Sequence, residues 1–315
     1  MPDPLDTAAA ILRAGGLVGM PTETVYGLAA DATNAEAVLG IFIAKGRPTF
    51  DPLIVHVADP EGAWAVAEST PRARLLAAAC WPGPLTLVLR RRANIPDVVT
   101  SGLETVGVRC PDHPVARELI RRAGRPLAAP SANPFGFISP TTAAHVRDQL
   151  GDRVGAILDG GPCAIGIEST VLLVDPQPVI LRPGGLTRER LEEILGEPVA
   201  VANAQARAAS IALPAPGLLA SHYAPRTPLR LLDEHEPWPT DPRIGRLALC
   251  GPVPAGGPTE LLSQSGDLAE AARTLFASLR RLDASGATDL VARLVPAIGL
   301  GLGINDRLRR AAGLG

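Results

Sequence analysis

Two short polar segments of this chain carry side chains that could bind an anionic ligand. The segment KGRP at 45–48 places Lys45 and Arg47 two residues apart, and a second segment supplies the hydroxyl of Ser131 and the amide of Asn133. Arginine offers phosphate a planar pair of donors, and lysine offers a mobile point charge. The second segment follows a predicted strand, and ligands of open α/β sheets bind beyond strand ends. These residues predict a polyphosphate site.

Each segment also has a purely structural interpretation. Lys45 and Arg47 could stabilise the dipole at the end of the preceding helix. Ser131 and Asn133 could form an ordinary turn. The residues alone leave these alternatives open. The sequence has no Gly-x4-Gly-Lys-Ser/Thr loop, which excludes a P-loop NTPase.

The elements that must position these residues alternate between apolar runs and helical patterns. Helices are predicted after a capping box that runs from Thr33 to Glu36, after Pro71, over 114–122 and 141–150, and after Thr187. Strands are predicted at 17–20, 53–57, 85–89, 106–108, 127–129, 156–158, 170–174 and 179–181. This alternation predicts a mixed α/β domain.

Beyond residue 199 the pattern dissolves into an Ala- and Pro-rich stretch and then resumes. We predict a catalytic domain at 1–200, a linker over the active site at 201–228 and a smaller α/β domain at 229–315. In the last domain, 247–250 reads as a strand and 268–282 as a helix. A final helix is expected near Asn305, after a glycine-rich turn at 299–303.

Bulk composition excludes several classes of protein. A length of 315 residues suits about two domains. The net charge of -2 argues against a protein whose main task is to coat nucleic acid. The N-terminus lacks the pattern of a signal peptide and no run approaches a membrane span, so we expect a cytoplasmic protein without membrane contact. The four cysteines match no metal or redox spacing and are expected to be buried, apolar and reduced.

A series of motifs in order along the chain resembles the YrdC/Sua5 family, the threonylcarbamoyl-AMP synthases. The resemblance covers nearly the whole chain and indicates the long, two-domain Sua5 form. The motifs are PTETVYGL at 21–28, KGRP at 45–48, PLIVHV at 52–57, TVGVRCP at 105–111, PSAN at 130–133, SPTTAAHV at 139–146, GIESTV at 166–171, LRPGG at 181–185, ASHYAP at 220–225 and DRLRRAA at 306–312.

The resemblance implies a fold and a reaction. The fold is a YrdC-like twisted, open mixed sheet with helices, followed by a smaller Rossmann-like α/β Sua5 domain. The reaction joins L-threonine, bicarbonate and ATP into threonylcarbamoyl-AMP and pyrophosphate, which makes the enzyme a nucleotidyltransferase. A magnesium ion is expected on the leaving pyrophosphate, with no protein metal ligands. The product would pass to a separate transferase that makes t6A at position 37 of tRNA.

The resemblance also implies roles for individual residues. Catalysis would rest on Lys45 and Arg47, through position and charge rather than a protein nucleophile. Threonine would be held by Thr24, His56, Arg109, Ala129 and Ser169. ATP would be held by Lys45, Arg47, Asp51, Thr105, Ser131, Asn133, Ser139, Arg182 and Tyr223.

Several assignments have structural alternatives. His56 lies within an apolar strand and could be a core histidine. Tyr26 is expected to pack in the core rather than to bind a ligand, and Glu23 could orient its neighbours. Asp51 replaces the asparagine that is usual in the family, and a carboxylate there would repel a phosphate unless it held a metal-bound water or turned away. A different class of function, an RNA-binding module with weak affinity for tRNA, stays open; a related carbamoyl-adenylate enzyme would normally carry further domains.

Overall fold

The protein is built on two β-sheets of different size. The computed structural model describes residues 3–202 and 222–314. The larger sheet is mixed, with the strand order β10-β9-β8-β4-β5-β3-β6-β2-β1-β7, and the smaller is parallel, with the order β11-β14-β12-β13. The strands are β1 Val18–Met20, β2 Gly27–Asp31, β3 Ile54–His56, β4 Leu85–Arg90, β5 Thr105–Arg109, β6 Leu127–Ala128, β7 Ala156–Ile157, β8 Thr170–Leu173, β9 Val179–Arg182, β10 Ala200–Val201, β11 Leu229–Leu231, β12 Ile244–Ala248, β13 Thr259–Leu261 and β14 Asp289–Ala292.

Helices cover both sheets, and most of them begin at a recognisable cap. The side chains of Asp3, Asn34, Thr70, Thr187 and Asp267 each accept a hydrogen bond from a backbone N–H of the first turn. The helices are α1 Pro4–Arg13, α2 Ala35–Lys45, α3 Pro60–Val66, α4 Pro71–Cys80, α5 Asp97–Thr100, α6 Pro114–Ala123, α7 Ala143–Leu150, α8 Arg188–Leu195, α9 Leu268–Asp283 and α10 Gly301–Ala311.

The predicted fold class is confirmed. The corrections concern the ends of elements and the elements that were not predicted, namely α1, α3, α5, β2, β10, β11, β13 and β14. Asn34 rather than Thr33 caps α2. The final helix begins at Gly301, so the glycines at 301 and 303 lie inside it rather than in a turn. Strand β2, with the sequence GLAAD, was missed because small residues at 27–31 carry no apolar alternation.

The exposure of the cysteines corrects one prediction. Cys110 and Cys163 are buried and Cys80 is partly buried, but Cys250 is exposed, so the expectation of burial was wrong for it. The domain boundaries stay a prediction, and most of the predicted linker falls on 203–221, outside the described residues. Among the described residues, no helix has the length and apolar character needed to span a membrane.

The register of the central strands brings polar residues to one edge. Strands β3 and β5 are parallel, and His56 stands opposite Arg109. On the other side β6 pairs with β3 and β2, and a single bridge then joins Gly27 to Ser131. Three motifs that lie far apart in sequence therefore meet where these strands end.

The apolar core does not divide cleanly between the two sheets. One buried cluster fills the larger sheet and its helices. A second cluster joins residues of α9 and α10 to four residues from segments near the larger sheet or just after residue 221, namely Val25, Ile138, Ile167 and Tyr223. Because these side chains share one core, the C-terminal helices pack directly against the segments that follow the strands of the larger sheet.

Candidate active site

A cavity lies where the ends of the central strands meet α10 and the segment after residue 221. It is lined by Thr22, Val25, Gly27, Arg47, Ile54, His56, Arg109, Ala129, Pro130, Ser131, Glu168, Ser169, Arg182, His222 and Tyr223. Eight of the predicted site residues are in this set. None of the other six lines it. Thr24, Lys45, Asp51 and Ser139 each contact a lining residue, whereas the hydrogen bonds of Asn133 go to residues outside the lining.

One end of the cavity is formed by the turn after β1. The hydroxyl of Thr22 donates to the carbonyl oxygen of Val25 at 2.6 Å and lies 2.9 Å from the hydroxyl of Thr24. Thr24 is fully buried and stands behind Thr22. Internal hydrogen bonds thus hold the turn, and it presents hydroxyl groups beside the ends of β3 and β5.

Arg109 is the cation at this end, and Glu23 holds it. Its Nη2 lies 2.6 Å from Glu23 Oε1, and its Nε donates to the carbonyl oxygen of Gly83 at 3.3 Å. Both side chains are less than a tenth exposed. The ion pair agrees with the interpretation of Glu23 as an orienting carboxylate, and it leaves the guanidinium at the cavity wall.

His56 is both a core residue and a cavity residue. It is almost fully buried, and its Nδ1 lies 3.2 Å from the carbonyl oxygen of Ile54. Burial, followed by the charge of Arg109, lowers the pKa of His56 to about 3. The imidazole is therefore neutral at neutral pH and can only donate or accept hydrogen bonds there.

Lys45 braces the turn that carries Ser131. It ends α2, where Gly46 adopts a left-handed backbone with a φ of 61°. Its Nζ donates to the carbonyl oxygen of Ser131 at 2.6 Å and also to that of Asn133. Burial lowers the pKa of Lys45 well below its ordinary value, and the charge of Arg47 adds to this. The ammonium thus stands behind the cavity wall.

Arg47 does reach the cavity, and Asp51 turns toward it. Arg47 Nη2 lies 2.9 Å from Asp51 Oδ2, and it also donates to the carbonyl oxygen of Pro52 at 2.9 Å. Both side chains are buried, and burial lowers the pKa of Arg47. Asp51 is fully buried and does not line the cavity, so its carboxylate lies behind Arg47.

Three further predicted residues do not line the cavity, namely Asn133, Ser139 and Thr105. The amide of Asn133 donates to the carbonyl oxygens of Pro134 and Phe137, both at 2.8 Å. The hydroxyl of Ser139 donates to Glu168 Oε1 at 2.5 Å. Thr105 begins β5, two residues before Gly107, and is partly exposed. Of these three, Ser139 stands directly behind a cavity residue.

The opposite wall is formed by β8, β9 and the residues before them. Arg182 Nη2 donates to the carbonyl oxygen of Ser169 at 3.0 Å, and the Ser169 hydroxyl lies 2.8 Å from that of Thr86. Burial lowers the pKa of Arg182. Ser169 therefore faces the cavity between Arg182 and the strand ends.

His222 and Tyr223 cover the cavity from the far side. Their rings are 4.2 Å apart and edge-on, and His222 also meets the ring of Phe135 at 5.8 Å. Burial and then the charges of Arg47 and Lys45 lower the pKa of His222, so the ring is neutral. Burial raises the pKa of Tyr223. Two uncharged rings thus lie against a cavity rich in cations.

Sequence reasoning missed part of the lining. Seven residues line the cavity without having been assigned a role there, namely Thr22, Val25, Gly27, Ile54, Pro130, Glu168 and His222. Each lies within a quoted motif or beside an assigned residue, so proximity in sequence was the available signal. Glu168 differs from the rest because it carries a charge opposite to that of the cations around it.

Comparison with known proteins agrees with this geometry. A family model for Sua5, YciO and YrdC proteins, described as "Telomere recombination", matches residues 10–184. A second, described as "Threonylcarbamoyl-AMP synthase, C-terminal domain", matches 186–313. The chain belongs to the Sua5/YrdC family. The predicted family is thereby confirmed in its two-domain Sua5 form.

Relatives of the Sua5/YrdC family match along nearly the whole chain. Proteins named threonylcarbamoyl-AMP synthase from Pyrococcus abyssi and Bacillus subtilis are each 41% identical over 97% of this chain and cover 93% and 92% of their own lengths. The crystal structure of P. abyssi Sua5 complexed with L-threonine superposes with a TM-score of 0.90 at 39% identity, covering 98% of this chain and 94% of that one.

Proposed function

We propose that this protein is an L-threonylcarbamoyladenylate synthase. Threonine and bicarbonate combine to a carbamate with loss of water and a proton. The carbamate oxygen then attacks the α-phosphorus of ATP, and the bond to the bridging oxygen breaks with release of pyrophosphate. The product is threonylcarbamoyl-AMP, and the reaction class is nucleotidyl transfer.

The observation that carries the proposal is one cavity with two chemically different ends. Thr22, His56 and Arg109 meet at one end, where a neutral imidazole, hydroxyls and one cation suit an amino acid. Arg47 and Arg182 lie at the other, where two buried guanidinium groups suit a triphosphate. A ligand at each end would bring the carbamate and the α-phosphorus together in the middle.

The chemistry then needs position and charge more than a reactive side chain. The reactants supply both the nucleophile and the leaving group, so the protein must align them and stabilise the negative charge that develops on the phosphate. Buried cations do this well because little water screens them. Arg109 would bind the threonine carboxylate, and Ala129 and Ser169 would shape the pocket around its side chain.

The phosphates would be held by Arg47, Ser131 and Arg182, with Lys45 adding charge from behind the turn that it braces. Tyr223 would cover the nucleotide. Magnesium fits as an ion carried by the triphosphate, since such ions bind mainly through substrate oxygens and water. Among residues 3–202 and 222–314 no cluster of three or more histidine, cysteine or acidic side chains forms a metal site.

The test is pyrophosphate release that depends on both threonine and bicarbonate, with the adenylate identified by mass spectrometry. Arg47→Gln should reduce this release on the order of a hundredfold, as loss of a group that stabilises developing charge does. Arg90→Gln is the matched control, because Arg90 lies on β4 of the same sheet and is exposed. Pyrophosphate release that does not depend on threonine would refute the proposal, and so would an Arg47→Gln variant with full activity.

Hand-over of the product to a separate tRNA transferase, weak tRNA binding and a cytoplasmic location remain predictions. A gel shift with tRNA that weakens steeply as salt rises would support direct RNA contact. Absence of any shift at low salt would dismiss that role.

A further inference from the structure

The last helix reaches the wall of the candidate active site. Arg307 of α10 is fully buried, and its Nε lies 2.9 Å from Oε2 of Glu168, which lines the cavity. The other oxygen of Glu168 accepts the hydroxyl of Ser139 at 2.5 Å. Both oxygens of one cavity carboxylate are thus held, one of them from the C-terminal domain.

We infer that Arg307 is a positioning residue for the nucleotide end of the cavity, acting through Glu168. The inference rests on the proposed function, since it names what the C-terminal domain contributes to ATP binding. Arg307 does not line the cavity, so it cannot act by direct contact with a ligand. Its effect must pass through the side chains that it holds.

Charge explains why Glu168 needs this partner. A carboxylate beside a triphosphate site repels the ligand unless a cation neutralises it. Arg182 donates to the carbonyl oxygen of Ser169, the residue after Glu168, which places Glu168 beside a cation of the nucleotide end. Arg307 supplies the neutralising charge from a position where it cannot itself bind phosphate. Breaking this buried pair would leave the carboxylate uncompensated.

Arg307 also fixes the ring that covers the cavity. Its guanidinium carbon lies 5.4 Å from the centre of the Tyr223 ring, within reach of a cation–π interaction. Three residues further along α10, the carbonyl oxygen of Arg310 accepts the backbone N–H of His222 at 3.3 Å. The helix therefore holds both the charged wall and the aromatic cover.

The helix can approach this closely because small residues line the contact. A Cβ on Gly303 would lie 2.9 Å from the side chain of Ile167 and 3.3 Å from the Cα of Gly184. Gly166, which has a φ of 85°, would place a Cβ 2.4 Å from the Cα of Arg273 on α9. Both C-terminal helices thus press on the segment that ends at Glu168.

Binding of ATP by the full chain, measured by titration calorimetry, tests the inference. Arg307→Gln should weaken ATP binding tenfold or more and raise the KM for ATP by a similar factor. The KM for threonine should change less than about threefold, since Arg109, the cation of the threonine end, is held by Glu23 rather than by Glu168. Arg307→Lys keeps the charge but loses the planar pair of donors, so its ATP affinity should lie between that of the wild type and that of Arg307→Gln.

A second substitution separates charge from folding. In Glu168→Gln/Arg307→Gln the uncompensated carboxylate is gone, so ATP affinity should recover by about threefold or more relative to Arg307→Gln alone. The matched control is Arg246→Gln, because Arg246, on β12 of the smaller sheet, is also fully buried but donates to the carbonyl oxygens of Pro239 and Asp241 in the loop before that strand. It should lower the melting temperature and leave ATP affinity unchanged.

The outcomes distinguish the two proposals. Wild-type protein that binds ATP but makes no adenylate would refute the proposed function and still test Arg307 by affinity. Active wild-type protein, with an Arg307→Gln variant that binds ATP normally, would overturn the inference alone. The inference also fails if the double variant shows no recovery, or if Arg246→Gln loses ATP affinity equally.

Discussion

The buried ion pair between Glu23 and Arg109 allows a direct test of how the site is held together. Glu23→Ala removes the carboxylate that lies 2.6 Å from the guanidinium and leaves the cation without this partner. At that distance the Coulomb attraction is about 6 kcal/mol for an effective dielectric constant of about 20. Desolvation offsets part of it, and removal of one partner of a buried pair costs about 3–5 kcal/mol net.

A cost of about 3 kcal/mol corresponds to a fall of roughly 6–12 °C in the melting temperature for a domain of about 200 residues. Circular dichroism during heating measures this. The control is Glu68→Ala, because Glu68 lies 3.8 Å from Arg90 and both side chains are more than half exposed. Loss of that pair should cost less than about 1 kcal/mol.

Under the proposed function, Glu23→Ala should also raise the KM for threonine, because Arg109 loses its fixed orientation. The KM for ATP should change little. Equal melting temperatures for the Glu23 and Glu68 variants would refute the reasoning, since burial would then have no influence on the strength of the pair.

Three further predictions concern single side chains. Tyr26→Phe should cost about 1–3 kcal/mol and leave both KM values unchanged, because the hydroxyl donates to Gly161 and accepts from the N–H of Gly160 without lining the cavity; a changed KM would contradict this. The pKa of His56 falls from 6.5 to about 3 on folding, so the unfolded chain binds more protons between these values and stability is lost as pH falls. Between pH 6.5 and 4.5 the free energy of unfolding of His56→Gln should therefore fall by roughly 2–3 kcal/mol less than that of the wild type. An equal fall with pH in both proteins would refute the assignment. Cys250 should react with a thiol reagent in the native protein, whereas Cys110 and Cys163 should react only after unfolding; rapid reaction of all of them would contradict the packing.

The sequence predicted the elements with a strong local signal. Apolar runs such as 85–89 became buried strands, and Thr187 caps its helix as expected. Strand β2 and the start of α10 at Gly301 were missed, because glycine and alanine have weak local preferences and both segments are held by tertiary packing.

The candidate site shows the same division. Sequence alone supplied Arg47, Ser131 and Arg182 as ligand-binding types, but it could not show that Lys45 faces the backbone of the Ser131 turn. That depends on how α2 packs against a segment more than eighty residues away. The orientation of Asp51 was likewise open until its partner was known.

By itself the sequence determined the fold class, the family and the chemical types at the site, since these depend on local pattern and residue identity. The tertiary structure decided which of those residues face the cavity and which support it from behind. It alone revealed that Glu168 is neutralised by Arg307, because a contact across 139 residues leaves no local signal. The role of a buried charge depends on the groups that it contacts, and tertiary packing determines which groups these are.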